Sequence, residues 1–152
     1  MRNEILIGLG VTILAASMIG VQSTYISRSG AVIGDTRSGM MTTVTGSVFA
    51  ILVLVWLWRQ GVGDWSWDGQ TWLALIVAGV LGTFILTGIS FASQRVGITT
   101  TLGTLLLGQM LVSSIVDDRG LAGGEGVPFT WVRLVGILLL FAGVYLTLNR
   151  QS

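Results

Sequence analysis

Five long apolar segments constrain this chain more than any other feature of its sequence. They run from about residue 4 to 26, 37 to 58, 72 to 94, 99 to 116 and 131 to 148. Each is close to the ~20 residues that an α-helix needs to cross a ~30 Å hydrocarbon core. Short segments of alternating polarity, which transmembrane β-barrels require, are missing from the sequence. The pattern therefore predicts an all-α integral membrane protein in which residues 1–152 form one five-helix domain.

The connections between these segments are short. Arg28 to Arg37, Gln60 to Gln70 and Asp117 to Phe129 are predicted as loops. Only a few residues around Arg95–Gly97 join the third and fourth segments, which favours an antiparallel hairpin. None of these stretches is long enough to fold by itself.

The composition excludes most catalytic chemistry. The chain has no Cys and no His, and only 10% of its residues are charged. Thiolate nucleophiles, imidazole bases and the usual zinc ligands are therefore absent from the sequence. A net charge of +1 gives no field for binding nucleic acid. We expect neither enzyme activity nor a metal or organic cofactor.

The arginines are evenly divided between the two sides that five spans would create. One side carries Arg2, Arg59, Arg119 and Arg133, and the other carries Arg28, Arg37, Arg95 and Arg150. Because orientation follows the Lys/Arg excess, a balance of four against four specifies no orientation. Either the balance arises by chance and the first helix decides, or the chain inserts both ways and pairs as an antiparallel homodimer.

The tryptophans favour the second interpretation. All six lie at the predicted interface on the N-terminal side: Trp56, Trp58, Trp65, Trp67, Trp72 and Trp131. Tryptophan concentrates at membrane–water interfaces. A single orientation would give one rich and one poor aromatic belt, whereas an antiparallel pair would give a belt at both faces.

Polar side chains within the spans mark the candidate binding site. The third helix carries Thr83, Thr87, Ser90 and Gln94 at steps of four, three and four, which places them on one face. The fourth helix carries Gln109, Ser113 and Asp117 at steps of four. Gln109 lies near mid-span, and its amide can both donate and accept. The alternative for each hydroxyl, including that of Ser17 on the first helix, is a bond to a carbonyl of its own helix.

The fifth helix looks different from the other four. Between Leu134 and Leu146 it has no Ser, Thr, Asn, Gln or charged residue. Gly136 and Gly143 lie seven residues apart on one of its faces. Small residues permit close helix packing. This face serves either ordinary packing within one bundle or a dimer interface.

Two stretches resemble a known family. Gly108 to Gly120, GQMLVSSIVDDRG, is similar to the end of the fourth helix in the YdcZ family of bacterial inner-membrane proteins, within the drug/metabolite transporter superfamily. Val135 to Leu146, VGILLLFAGVYL, is similar to the family's closing helix. The resemblance implies a five-helix unit that works as an antiparallel pair, in the manner of the distantly related small multidrug resistance exporters. Ser17 and its neighbours stand where those exporters hold a glutamate.

These observations lead to a transport hypothesis. We expect a secondary transporter of a small polar metabolite, neutral or weakly anionic, with alternating access in an antiparallel homodimer embedded in lipid. Its site would lie near the midplane on the two-fold axis, with Gln109 as the main contact. Secondary contacts would come from Ser113, Thr87, Ser90, Thr83 and Ser17. A dimeric channel and a non-transporting scaffold or partner subunit are the alternatives.

Overall fold

A computed structural model describes residues 2–63, 65–121 and 126–149. These residues form five helices and no strand: α1 (Arg2–Ile33), α2 (Asp35–Arg59), α3 (Gly69–Val96), α4 (Ile98–Asp118) and α5 (Trp131–Asn149). All five are long and apolar enough to cross a membrane. The prediction of an all-α membrane protein with five spans is therefore confirmed. Asp64, residues 122–125 and Arg150, which entered the predicted loops and the arginine balance, lie outside the described residues.

The chain divides into two compact units. Unit 1 is Met1–Gln94 and holds α1, α2 and nearly all of α3, and unit 2 is Arg95–Ser152 and holds α4 and α5. Within unit 1, the end of α1 packs against the start of α2, and within unit 2, α4 packs against α5. The single five-helix domain and the antiparallel arrangement of α3 and α4 stay predictions.

The prediction of a loop from Arg28 to Arg37 was wrong. Helix α1 continues to Ile33 and α2 begins at Asp35, so Gly34 alone separates them. Gly34 has φ 89°, which a residue with a Cβ adopts only with strain. Polar residues before the turn do not end α1, because their hydroxyls bond its own carbonyls: Ser29 donates to the Tyr25 carbonyl at 2.9 Å.

The sequence predicted that the third helix begins at about residue 72, whereas α3 begins earlier, at Gly69. Asp68 caps it, since the Thr71 N–H donates to a carboxylate oxygen of Asp68 at 2.9 Å. The Thr71 hydroxyl, and then this N–H, hold the pKa of Asp68 below its ordinary value. Beside this cap, the Trp67 ring contacts those of Trp65 and Trp72, with centroids 5.8 and 5.2 Å apart.

Buried side chains are mostly small and polar. Among the described residues, the buried apolar side chains are Ile26, Ile89 and Ile137, whereas the buried polar ones are Ser23, Ser38, Ser90, Ser93, Thr100, Thr101 and Ser114. Large apolar side chains face outward along all five helices. This inverts the pattern of a water-soluble core and is typical of membrane helices, which meet through small residues and face lipid with large ones.

Candidate functional site

Three helix ends meet in unit 1 through small and polar residues. These are the C-terminal turns of α1 and α3 and the N-terminal turn of α2. We call this cluster the polar junction; its members are Ser29, Gly30, Asp35, Ser38, Gly39, Thr87, Ser90 and Gln94.

Hydroxyl groups join α1 to α2 across the Gly34 turn. The Ser38 hydroxyl donates to the backbone carbonyl of Ile26 at 2.9 Å. The hydroxyl oxygens of Ser29 and Ser38 lie 2.7 Å apart. Ser38 is only 1% exposed, so these bonds satisfy a polar group that lipid could not. They hold the first two helices together at this end.

Asp35 joins α2 to α3. The Ser90 hydroxyl donates to a carboxylate oxygen of Asp35 at 3.0 Å, and the Gln94 amide donates to the same oxygen. Ser90 is completely buried and Asp35 half-buried. Hydrogen bonds to a charged acceptor are roughly twice as strong as neutral ones. Asp35 therefore holds the end of α3 against the α1–α2 turn.

Two glycines let α3 come this close. A Cβ at Gly39 would lie 2.6 Å from the Cα and 2.7 Å from the backbone nitrogen of Thr87. A Cβ at Gly30 would overlap the Ser90 hydroxyl and lie 2.5 Å from Nε2 of Gln94. At Gly39 the obstacle is backbone, which cannot rotate away. The junction therefore requires glycine there.

The other predicted contacts in unit 1 bond within their own helices. Thr87 donates to the Thr83 carbonyl at 3.0 Å, and Thr83 donates to the Gly79 carbonyl at 3.2 Å. Ser17 is exposed and donates to the Ile13 carbonyl at 2.9 Å. Each hydroxyl oxygen keeps lone pairs that could accept from a ligand. Of the unit 1 residues in the predicted site, only Thr87 and Ser90 lie in the polar junction.

Gln109 and Ser113 lie on exposed surface of α4 in unit 2. Ser113 donates to the Met110 carbonyl at 3.2 Å. Within the described part of the chain, the Gln109 side-chain amide has no hydrogen-bond partner. A polar amide on a membrane helix needs a partner from another subunit, a ligand or water. Gln109 is thus the predicted contact with the most unused hydrogen-bonding capacity.

Helices α4 and α5 are joined by three kinds of contact. The Thr100 hydroxyl donates to that of Thr147 at 3.2 Å. A Cβ at Gly103 would lie 2.9 Å from a methyl group of Val144. At the other end of this pair, Arg133 forms an ion pair with Asp117 at 2.9 Å.

The predicted interface glycines of α5 leave open space beside them. Nothing lies within 4 Å of a Cβ built at Gly136 or at Gly143. Neither glycine serves the α4–α5 packing, which uses Gly103 instead. Their role at a dimer interface stays a prediction.

Sequence reasoning missed Asp35, the acid at the centre of the polar junction. The sequence predicts a loop at this position, where a carboxylate is ordinarily solvated. Two signals could have found it: Asp35 directly follows Gly34, and it is the only acid between Glu4 and Asp64. In the described residues, no three Asp or Glu side chains come together as a metal site.

A protein-family model covers most of the chain. A family model described as "Putative inner membrane exporter, YdcZ" matches residues 7–146 and so reaches into all five helices. Among curated proteins and among solved structures, nothing matches the sequence. Together with the five span-capable helices, the family match identifies a multi-pass protein of the inner membrane.

Proposed function

The chain belongs to the YdcZ family, and on that premise we propose that it is a secondary transporter of a small polar, neutral or weakly anionic metabolite, working by alternating access in an antiparallel homodimer. The family match carries the proposal, because its description is that of an exporter and not of an enzyme. Substrate class and mechanism are inferred from the side chains.

Gln109 supports the choice of a polar substrate. Its amide offers two donors and an acceptor, and it lies between two apolar stretches of α4, residues 105–108 and 110–112. We propose Gln109 as the main substrate contact and Ser113, one turn later, as the second. Thr83, Thr87, Ser90 and Ser17 are proposed as contacts from unit 1. A neutral ligand rich in hydroxyl or amide groups suits these side chains, because their oxygens can accept hydrogen bonds from it.

The exposed helix faces support a dimer. The most apolar windows of α1 and α2 contain no buried residue. Lipid covers apolar surface adequately, but it offers the Gln109 amide no hydrogen-bond partner. It also does not pack closely against the small surfaces of Gly136 and Gly143 as another helix would. A second copy could supply polar partners and close packing at once, and an inverted copy would give the two end states of transport equal energies.

Substitution of Gln109 tests the site. Polar metabolites would first be screened for their ability to raise the melting temperature of the purified protein, and a hit would then be followed as saturable uptake into proteoliposomes. Gln109→Leu should weaken binding of that compound by roughly 1–3 kcal/mol, because a polar group of the ligand loses its partner. Gln60→Leu, the same change at the C-cap of α2, is the control. Normal binding by a well-folded Gln109→Leu protein would rule out the assignment.

Cysteine cross-linking tests the antiparallel dimer directly, since the chain has no Cys of its own. Positions 136 and 143 are separated by about 10 Å along α5, at ~1.5 Å per residue. If α5 packs antiparallel about a two-fold axis midway between them, Gly136→Cys in one copy faces Gly143→Cys in the other. Mixed copies should then form more disulfide than either variant alone, because a disulfide needs Cα atoms within about 7 Å. Preferential pairing of like positions would indicate a parallel dimer.

A further inference from the structure

The polar junction contains a titratable group that the proposed substrate site does not use. Asp35 accepts hydrogen bonds from Ser90 and Gln94, both on α3. Their strength depends on the charge of the carboxylate. Bound protons would therefore weaken the contact between the α1–α2 turn and α3.

The donors on α3 have alternatives when that contact weakens. A serine hydroxyl in a helix can bond the carbonyl four residues earlier, as Thr87 already does with Thr83. The Gln94 amide is already 3.4 Å from the carbonyl of Ser90 in its own helix. Release of Asp35 thus need not leave α3 with an unsatisfied buried donor.

We propose that Asp35 is a proton-binding site that sets the conformation of unit 1. A proton from water adds to a carboxylate oxygen of Asp35 and converts it from a charged acceptor into a neutral acid. The bonds from Ser90 and Gln94 weaken, and α3 separates from the α1–α2 turn. Ser90, fully buried in the closed junction, then becomes accessible. This rests on the proposed transport function in one respect: the opening would couple proton uptake to the exposure of a substrate contact.

The other charged side chains near these three helix ends are arginines. Each helix at the junction carries one arginine near this end: Arg28 on α1, Arg37 on α2 and Arg95 on α3. All three side chains are exposed. No other acid lies on α2.

Distances within unit 1 test the proposal without any substrate. Spin labels at Gly8→Cys on α1 and Gly79→Cys on α3 have open space around them. The labelled protein, diluted with unlabelled copies in lipid nanodiscs, is measured between about pH 7 and about pH 2.5, a range that brackets ordinary aspartate titration. We expect the α1–α3 distance distribution to shift as the pH falls. Asp35→Asn should lose this shift and give the low-pH distribution throughout.

The controls separate this proposal from its alternatives. Asp68→Asn removes a charge at the opposite end of α3 while keeping a good helix cap, and its pH response should match the wild type. If Asp35→Asn fails to fold, Asp35→Glu serves in its place. It keeps a carboxyl group at this position and should therefore keep a pH-dependent α1–α3 distance. A pH-independent distance in the wild type, or an unchanged pH response in Asp35→Asn, would overturn the proposal. Loss of transport with an intact pH response would instead count against the proposed function.

Discussion

Units 1 and 2 both bring membrane helices into close contact, but they do so through different atoms. In unit 1, α3 approaches so closely at Gly39 that a side chain there would meet the backbone of Thr87. In unit 2, the tight point at Gly103 faces only the methyl group of Val144. Each unit also contains an acid that joins two helices: Asp35 accepts hydrogen bonds from Ser90 and Gln94, and Asp117 forms an ion pair with Arg133.

This difference determines how each unit can respond when its helices shift. Backbone contact cannot be relieved by rotation of a side chain, which is consistent with the proposed change between a closed and an open junction. A contact with a methyl group adjusts by rotation, so the α4–α5 pair can absorb change gradually. We therefore regard unit 1 as the part that switches and unit 2 as the part that tolerates variation.

The largest expected effect comes from Gly39→Ala. The added methyl group would collide with the Thr87 backbone, so α3 must move away. We expect a loss of about 3 kcal/mol in the free energy of unfolding, measured in mixed micelles. Gly46→Ala on the same helix has open space around it and should be neutral or slightly stabilising. Equal stability of the two variants would refute the close approach.

Gly103→Ala should have a smaller effect. Here the added methyl group meets Val144, 2.9 Å away, and a rotation of that side chain relieves most of the overlap. We expect a loss of about 1 kcal/mol, against no loss for Gly108→Ala, which has open space around it. A loss as large as that of Gly39→Ala would erase the contrast between the two units.

The ion pair of unit 2 should contribute less again. Arg133 and Asp117 are 31% and 41% exposed, so water screens their attraction. Arg133→Gln should cost about 0.5–1 kcal/mol, and the cost should shrink at high salt. Arg59→Gln, an exposed arginine at the end of α2, serves as the control. A cost that does not change with salt would mean that the packing of Arg133 matters more than its charge.

The smallest effect concerns the cap of α3. Hydrogen bonds from Thr71 lower the pKa of Asp68, so its stabilisation is present above its ordinary pKa and is lost as the pH falls through the lowered value. Hydrogen exchange at the Thr71 and Trp72 amides should accelerate, relative to the intrinsic rate, at the acid end. Asp68→Asn should keep the cap and lose that pH dependence. Unchanged pH dependence in Asp68→Asn would mean that another group controls this helix end.

The number and type of helices could be predicted because the apolar segments are long. Membrane helices must satisfy every backbone group internally, so twenty apolar residues leave little choice of structure. The ends were harder. The stretch from Ser27 to Arg37 is polar enough for a loop, yet hydroxyl bonds and the single positive φ of Gly34 let two helices occupy it.

The polar face of α3 could also be predicted from the spacing of its residues, whereas the residue that this face contacts could not. Steps of three and four predict that Thr87, Ser90 and Gln94 share a face, and all three contact the other helices of unit 1. That the partner is Asp35 depends on a one-residue turn that brings α2 back beside α1. Gln109 stood out through its polarity alone, and whether it binds a substrate stays a prediction.

The length of α1 has a mechanical consequence. Its 32 residues span about 48 Å, whereas a bilayer's hydrocarbon core is about 30 Å thick. The excess must be taken up by tilt or by emergence into the headgroups. The polar junction uses the last turns of this helix. A thinner or thicker bilayer would change the tilt of α1 and so exert a force on those turns. Lipid chain length therefore becomes a physical variable that acts on the same three helix ends as the proton.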